Sequence, residues 1–286
     1  MNKPPEVLDS GRISDIRKSR ALFEELVRFH WQYYSELAFQ RNQIREQLKS
    51  VLREKARPFE FQRWQRIVRY KYSLTPLSTK GSLVDPGGRF NVGELDPTRY
   101  PVFPALYIAS DKGTALAEVL GREDKINSLT PEELALTKPD SITAVSISGK
   151  LESTFDTRDR ANLSAFVNMT KGFKLSRSLV QKAQRLRHPV RLVTTAKELG
   201  SVFEQRDWRH WPMLFDVPTS SQVFGGLVMN AGIEGILYNS AITRRLCLAI
   251  FPQNFMNSSS FLELDDAVPS DQVQRRVDST NFGSII

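Results

Sequence analysis

Asp85-Pro-Gly-Gly-Arg-Phe-Asn-Val-Gly93, Ala105-Leu-Tyr-Ile-Ala109 and Thr114-Ala-Leu-Ala-Glu-Val-Leu-Gly121 follow one another closely, and their reading decides the rest. They describe a polar, glycine-hinged loop, a short apolar strand, and a short helix with one acid on an otherwise apolar face. Gly87 and Gly88 permit a tight turn or a close approach to a ligand. Arg89 emerges there with a fork of donors suited to phosphate. Tyr107 stands between apolar Leu106 and Ile108, and Glu118 is the sole charge among Ala115, Leu116, Ala117, Val119 and Leu120. A carboxylate so placed must find a partner or serve a pocket, because burying it unpaired is costly. Loop arginine, strand tyrosine and helix glutamate are therefore expected to face one cleft.

The chain around this stretch has 286 residues, 40% hydrophobic and 25% charged, an ordinary globular composition. A chain of that length buries roughly 75% of its extended surface, so core size sets no limit. Cys247 is the only cysteine, which excludes an intrachain disulfide and a cysteine-rich zinc site and fits a reducing cytosol. His30, His188 and His210 lack the spacing of a metal triad, so no metal is expected. The start, Met1-Asn-Lys-Pro-Pro-Glu, lacks the apolar core of a signal peptide, and no run approaches the roughly 20 apolar residues of a membrane span. The expectation is a soluble, cytoplasmic protein without membrane contact. Gly87-Gly88 lacks the Lys-Ser/Thr ending of a P-loop and the third glycine of a dinucleotide fingerprint, and no Gly-x-Ser-x-Gly elbow occurs.

Toward the N-terminus, residues 1 to about 12 read as a flexible lead-in. Apolar residues at Leu22, Leu26, Tyr33, Leu37, Ile44, Leu48 and Val51 then predict helix from about residue 14 to 55, as one piece or two broken near residues 39–42. Its aromatics Phe29, Trp31, Tyr33 and Tyr34 are expected to pack on the main domain or on a second copy, giving a homo-oligomer. Residues 64–72 alternate as a strand with Arg69 and Lys71 on one basic face. Residues 73–93 form a long polar loop, and residues 94–104 an excursion marked by Pro97, Pro101 and Pro104.

Toward the C-terminus, residues 141–148 read as a strand, 151–215 as helical, basic and aromatic material that includes 195 to about 210, and 220–230 as a helix. Residues 232–240 read as a turn plus strand, 245–251 and 261–264 as strands, and the chain beyond about 271 as disordered. The organisation expected is a helical extension (1–60), a catalytic domain (61–255) with a basic insertion (151–215), and a tail (256–286). The net charge is +8, and from Lys171 to Arg191 seven bases occur without one acid. That run fits a solvated face, an acidic partner or nucleic acid, and a non-enzymatic nucleic-acid-binding module is one reading of the whole chain.

The order Gly-Gly-Arg-Phe-Asn, Ala-Leu-Tyr-Ile-Ala, Ala-x-x-Glu-Val and, later, Gly-x-x-Gly-Ile-x-Tyr-x-Ser resembles the RES-domain family over roughly residues 64–255. These are toxin components of bacterial toxin–antitoxin systems, named for an arginine, a glutamate and a serine. The resemblance implies an α+β fold with an ADP-ribosyltransferase-like core, in which two small sheets grip NAD and helices flank them, here with an N-terminal helical extension. It implies NAD as substrate without a metal, cleaved at the nicotinamide–ribose bond by hydrolysis or phosphorolysis, or used to ADP-ribosylate a protein acceptor. It also implies a separate antitoxin. On the family pattern Arg69 matches the first arginine, with Arg66 as its rival, Glu118 the glutamate and Ser240 the serine. Arg89 and Tyr107 accompany them, with Gly88 and Asn91 against the dinucleotide. Two arginines suit a pyrophosphate, and a carboxylate suits the oxocarbenium-like cation that forms as nicotinamide leaves. Tyr107 would stack on nicotinamide, and Ser240 would hold an arginine or a ribose oxygen.

Overall fold

The computed structural model describes residues 10–120, 142–188, 190, 192–267 and 273–286. Most of the expected lead-in, together with Gly121, Ser141 and Arg191, lies outside them.

The chain opens with helices α1 (Ser10–Gln43) and α2 (Arg45–Lys55). They part at Ile44, whose backbone leaves helical geometry at φ −114° and ψ 23°, slightly beyond the expected 39–42. The extension packs on the same molecule. Leu48 and Leu52, one turn apart on α2, are fully buried in the main core, where each side chain contributes about 1.5–3 kcal/mol. Arg53 donates to the Ala231 carbonyl at 2.7 Å, Trp31 to that of Phe215 at 2.7 Å, and the rings of Tyr34 and Tyr100 meet edge to face at 5.1 Å.

Strand β1 (Arg57–Arg69) is followed by a short ribbon, β2 (Gly87–Gly88) and β3 (Asn91–Val92), then by β4 (Leu106–Ala109) and helix α3 (Lys112–Leu120). Strand β5 (Ile142–Asp156) leads into α4 (Arg160–Thr170), α5 (Arg177–Arg185), α6 (Ala196–Phe203), α7 (His210–Phe215) and α8 (Ser220–Asn230). Strands β6 (Gly235–Asn239), β7 (Leu246–Ile250), β8 (Phe261–Leu264) and β9 (Arg276–Val277) complete the fold. The architecture is mixed α and β.

The strands run β1-β4-β7-β6-β5-β8-β9, and β1 also pairs with β5, so the first five close into a ring. The expected two small sheets are instead one hydrogen-bonded network plus the β2–β3 ribbon. The reason is length: β1 has 13 residues and β5 has 15, enough to pair with neighbours on both sides. The β1–β5 register shifts between Phe61 and Trp64, where Arg63 takes a left-handed φ of 55°, the mark of a bulge.

Side chains alternate across this ring. Tyr107 and Ala109, Cys247 and Ala249, Ile236 and Tyr238 belong to a core that also holds Phe90, Phe155, Phe203 and Phe224. Leu106 and Ile108, Leu248 and Ile250, and Leu237 belong to a second core with Trp64, Ile147 and Phe255.

Three further expectations are corrected. The strand expected to reach Tyr72 ends at Arg69, because Tyr70–Tyr72 turn into a 3-10 helix, and Lys71 does not continue the face of Arg69. The helical material expected through 195–210 is interrupted, with α6 and α7 separated by residues 204–209. Residues 273–286 are ordered: Val273, Val277 and Ile285 are buried, and both the amide and the hydroxyl of Thr79 donate to the Ile285 carbonyl at 2.8 Å. Among the described residues no helix is long and apolar enough to cross a membrane.

Candidate active site

The glycine-hinged loop is held by contacts that explain its composition. Gly87 has φ +93°, and a Cβ there would lie 2.4 Å from the Gly93 nitrogen, so only glycine fits. A Cβ on Gly88 would lie 2.4 Å from the Tyr107 hydroxyl, so the tyrosine packs directly on bare backbone. That hydroxyl donates to Asn91 Oδ1 at 2.8 Å and accepts from the Phe90 amide at 3.0 Å. Asn91, fully buried, accepts a second bond from the Gly88 amide at 2.9 Å and donates to the carbonyls of Ser82 and Phe103 at 2.7 and 3.0 Å. All four bonding positions of its amide are thus used inside the protein, which makes it the pin of the loop. Gly88 is likewise the seat of Tyr107.

From α8 the buried Gln222 donates Nε2 toward the carbonyls of Pro86, Asn91 and Gly88 at 2.7, 3.1 and 3.2 Å. The helix presses on the loop at Gly225, where a Cβ would fall 1.9 Å from the Phe90 carbonyl oxygen.

Arg89 is 6% exposed. Its Nη1 donates to the carbonyls of Phe203 and Gln205 at 2.8 and 2.7 Å, and its guanidinium lies 5.7 Å from the Trp208 ring centre. Both bonds leave from Nη1, so the other edge of the fork is not committed to them. The same segment grips the turn between β6 and β7: Arg206 Nε donates to the Ala241 carbonyl at 3.1 Å, and Glu204 pairs with Arg244. The stretch expected as an insertion is therefore what holds Arg89.

Ser240 opens that turn and is fully buried. Its Oγ accepts the amides of Ile242 and Thr243, each at 3.1 Å, and donates to Glu118 Oε1 at 2.6 Å. Two donors on the oxygen fix the hydroxyl rotor, leaving the proton directed at the carboxylate. The serine thus holds the glutamate, not an arginine. Helix α3, which carries Glu118, is anchored at its start: Asp111 accepts from the Thr114 amide and hydroxyl at 2.8 Å each, and Thr114 Oγ1 lies 3.0 Å from Thr243 Oγ1. Those bonds lower the Asp111 pKa against the opposing effect of burial, which is the larger single influence.

Tyr238 and Cys247 are directly paired across β6 and β7, and the Tyr238 ring meets Phe90 edge to face at 4.9 Å. Burial raises the Tyr238 pKa well above its ordinary value, with Cys247, Glu118 and Tyr107 adding to the rise and Arg89 opposing it. Burial likewise pushes the Cys247 thiol up, with Glu118 adding and Arg89 opposing, so it is a protonated core group and no nucleophile.

Strand parity sends Arg66 and Arg69 to different sides of β1. Arg69, exposed at the end of β1 opposite Ile142, shares its side with Ile67, which packs in the core of Phe90 and Tyr238. Arg66 shares its side with Trp64 of the other core. There its Nη2 donates to the Ser78 carbonyl at 2.7 Å, Nε and Nη1 are buried without a partner, and burial brings the pKa down to about 10.

Gln222 and the carbonyls of Phe203 and Gln205 escaped the sequence reading, whereas Tyr238 is the tyrosine of the Gly-x-x-Gly-Ile-x-Tyr-x-Ser motif. Of these only Gln222 left a signal, since Thr219-x-x-Gln222 has the spacing of a capping box and forms one. Among the described residues no group of three or more His, Cys, Asp or Glu could hold a metal ion.

No curated protein matches the chain. Among solved structures a similar chain occurs in the M. tuberculosis MbcT–MbcA toxin–antitoxin complex, with 14% identity, a TM-score of 0.41, and coverage of 83% of this chain and 96% of that one. The model of the RES domain matches residues 63–266. That span takes in the glycine-hinged loop, α3 and the turn that carries Ser240, and it fills most of the sequence: the chain belongs to the RES-domain family.

Proposed function

We propose that the protein is a toxin that degrades NAD by breaking the nicotinamide–ribose bond, and that a separate antitoxin restrains it. The observation that carries this reading is the 2.6 Å bond from Ser240 Oγ to Glu118 Oε1. It orients one carboxylate beside the turn whose Ala241 carbonyl is held by Arg206, in the same segment whose Phe203 and Gln205 carbonyls anchor Arg89.

NAD presents two negative charges on its pyrophosphate, which Arg69 and Arg89 bind, Arg89 from a guanidinium already anchored on two carbonyls. The glycosidic C–N bond then breaks with its electron pair leaving on nicotinamide, which departs neutral. Positive charge develops on the ribose, and the Glu118 carboxylate stabilises it more in the transition state than in the ground state. An oxygen of water or phosphate bonds to the ribose carbon and gives up its proton to solvent. Tyr107 and the loop it supports shape the wall beside the ring, and the chemistry uses no metal.

Expression in a bacterium tests this reading: cellular NAD falls and growth stops with the wild-type chain, and neither happens with Glu118→Gln. NAD that stays constant on induction of the wild type would contradict it. A discrete ADP-ribosylated band in place of free products would move the acceptor from a small molecule to a protein.

A further inference from the structure

Away from the candidate active site, a cavity of about 280 Å³ opens where β1 begins and β5 ends. Leu237 contributes to its wall, and Leu237 faces the opposite side of β6 from Tyr238, so the two sites lie on opposite sides of that strand.

The charges in the wall are largely assigned. Arg158 neutralises Asp156 through two bonds, at 2.9 and 2.6 Å, and Asp159 caps α4 by accepting the Ala161 amide at 2.8 Å. That leaves Lys55 and Arg57. Lys55 meets only the exposed Glu54, at 3.3 Å. Arg57 Nη1 donates to the carbonyls of Glu54 and Ala56 at 2.6 and 2.7 Å. It thus repeats the anchoring of Arg89, a guanidinium fixed by backbone along one edge, which suits the geometry of a phosphate. Beside these bases stands Thr154, 4% exposed, whose hydroxyl is buried without a hydrogen-bond partner among the described residues. Leaving such a group unpaired is costly, and a ligand hydroxyl would satisfy it. The Asn162 amide and the carboxylates of Asp156 and Asp159 add polar groups that hydroxyls can bond, and the apolar surface is limited to Pro58, Phe59 and Leu237.

We propose that this cavity is a second binding site, separate from the NAD site, for a small phosphorylated polyol of the sugar-phosphate class. Arg57 and Lys55 hold the phosphate, while Thr154 and Asn162 meet the hydroxyls. The volume lies at the small end of ligand pockets, which suits a monophosphate and excludes a dinucleotide.

Calorimetric titration of the full chain with ribose 5-phosphate tests the assignment, with inorganic phosphate and ribose as separate arms. The ester binds, phosphate alone binds more weakly, and ribose alone gives no heat. Arg57→Gln and Lys55→Gln each weaken the ester by about tenfold or more. Thr154→Val, which keeps shape and removes only the hydroxyl, weakens it several-fold while the protein stays folded. Arg69→Gln leaves it unchanged, as does Glu118→Gln. Four results overturn the proposal: no heat with the ester, phosphate binding as tightly as the ester, affinity unchanged in both Arg57→Gln and Lys55→Gln, or loss of binding in Arg69→Gln, which would place the ligand in the NAD site. Because Glu118→Gln slows NAD cleavage without touching this cavity, the two readings fail separately.

Discussion

The Ser240 hydroxyl donates a hydrogen bond to Glu118 Oε1 across 2.6 Å, joining residues 122 positions apart in the chain. The donor is itself held by the Ile242 and Thr243 amides, so the carboxylate meets a hydroxyl of fixed direction. Under the proposed function the two act as one unit, with Ser240 as the positioning residue of Glu118.

A unit of this kind predicts non-additive losses. Glu118→Gln lowers kcat for NAD cleavage by roughly a hundred- to a thousandfold, as expected for removing a charge aimed at a developing cation. Ser240→Ala lowers it by roughly ten- to a hundredfold with KM little changed, because the carboxylate remains but is no longer held. The double variant is no slower than Glu118→Gln alone. Losses that multiply in the double variant would show two independent roles.

The segment 203–208 couples Arg89 to the Ser240 turn through the carbonyls of Phe203 and Gln205 and through Arg206. Arg206→Ala removes one bond to the Ala241 carbonyl and is expected to raise KM for NAD about two- to tenfold, with the melting temperature close to wild type. A KM equal to that of the wild type would separate this segment from the site.

Loop integrity depends on Gln222 and Gly225. Gln222→Leu leaves the carbonyls of Pro86, Gly88 and Asn91 short of a donor inside the core, at about 1–3 kcal/mol for each one left unsatisfied. The melting temperature should fall by roughly 5–15 °C. Gly225→Ala is more severe, since its methyl would fall 1.9 Å from a backbone oxygen that a packed helix cannot move aside. A shift under about 2 °C for Gln222→Leu in thermal unfolding would contradict the frame described above.

His30 gives the fold a pH dependence. It is 1% exposed on α1, its ring lies 4.8 Å from that of His188 and 4.0 Å from that of Phe215, and neither nitrogen has a partner. Burial, then the nearby His188, brings its pKa down from 6.5 to about 4. The folded state therefore keeps His30 neutral where the unfolded chain already binds a proton. Stability is full above about pH 6.5 and falls as the pH drops toward 4, by on the order of 3 kcal/mol. Urea unfolding at pH 7 and pH 4.5 should show a larger loss for the wild type than for His30→Phe. Equal losses would mean that another group governs the acid limb.

Much of the fold is legible in the sequence. Helix α8 spans Ser220–Asn230 and β8 spans Phe261–Leu264, where apolar spacing and turn residues placed them. The glycine-hinged loop, the Tyr107 strand and the Glu118 helix also form as read, because short-range patterning and steric demands at Gly87 and Gly88 determine them. What was not legible involves groups without a side-chain signature. Carbonyls of Phe203 and Gln205 anchor Arg89, and any residue could supply them. The α1–α2 break at Ile44 has neither proline nor glycine to announce it. Closure of the ring through β1 and β5 depends on long-range pairing that periodicity cannot encode.

The most direct test is NAD consumption by the purified chain, wild type beside Glu118→Gln, with products resolved by mass. The account predicts free nicotinamide together with ADP-ribose or its phosphate from the wild type, and intact NAD with the variant. Intact NAD in both, or equal turnover in both, would contradict it.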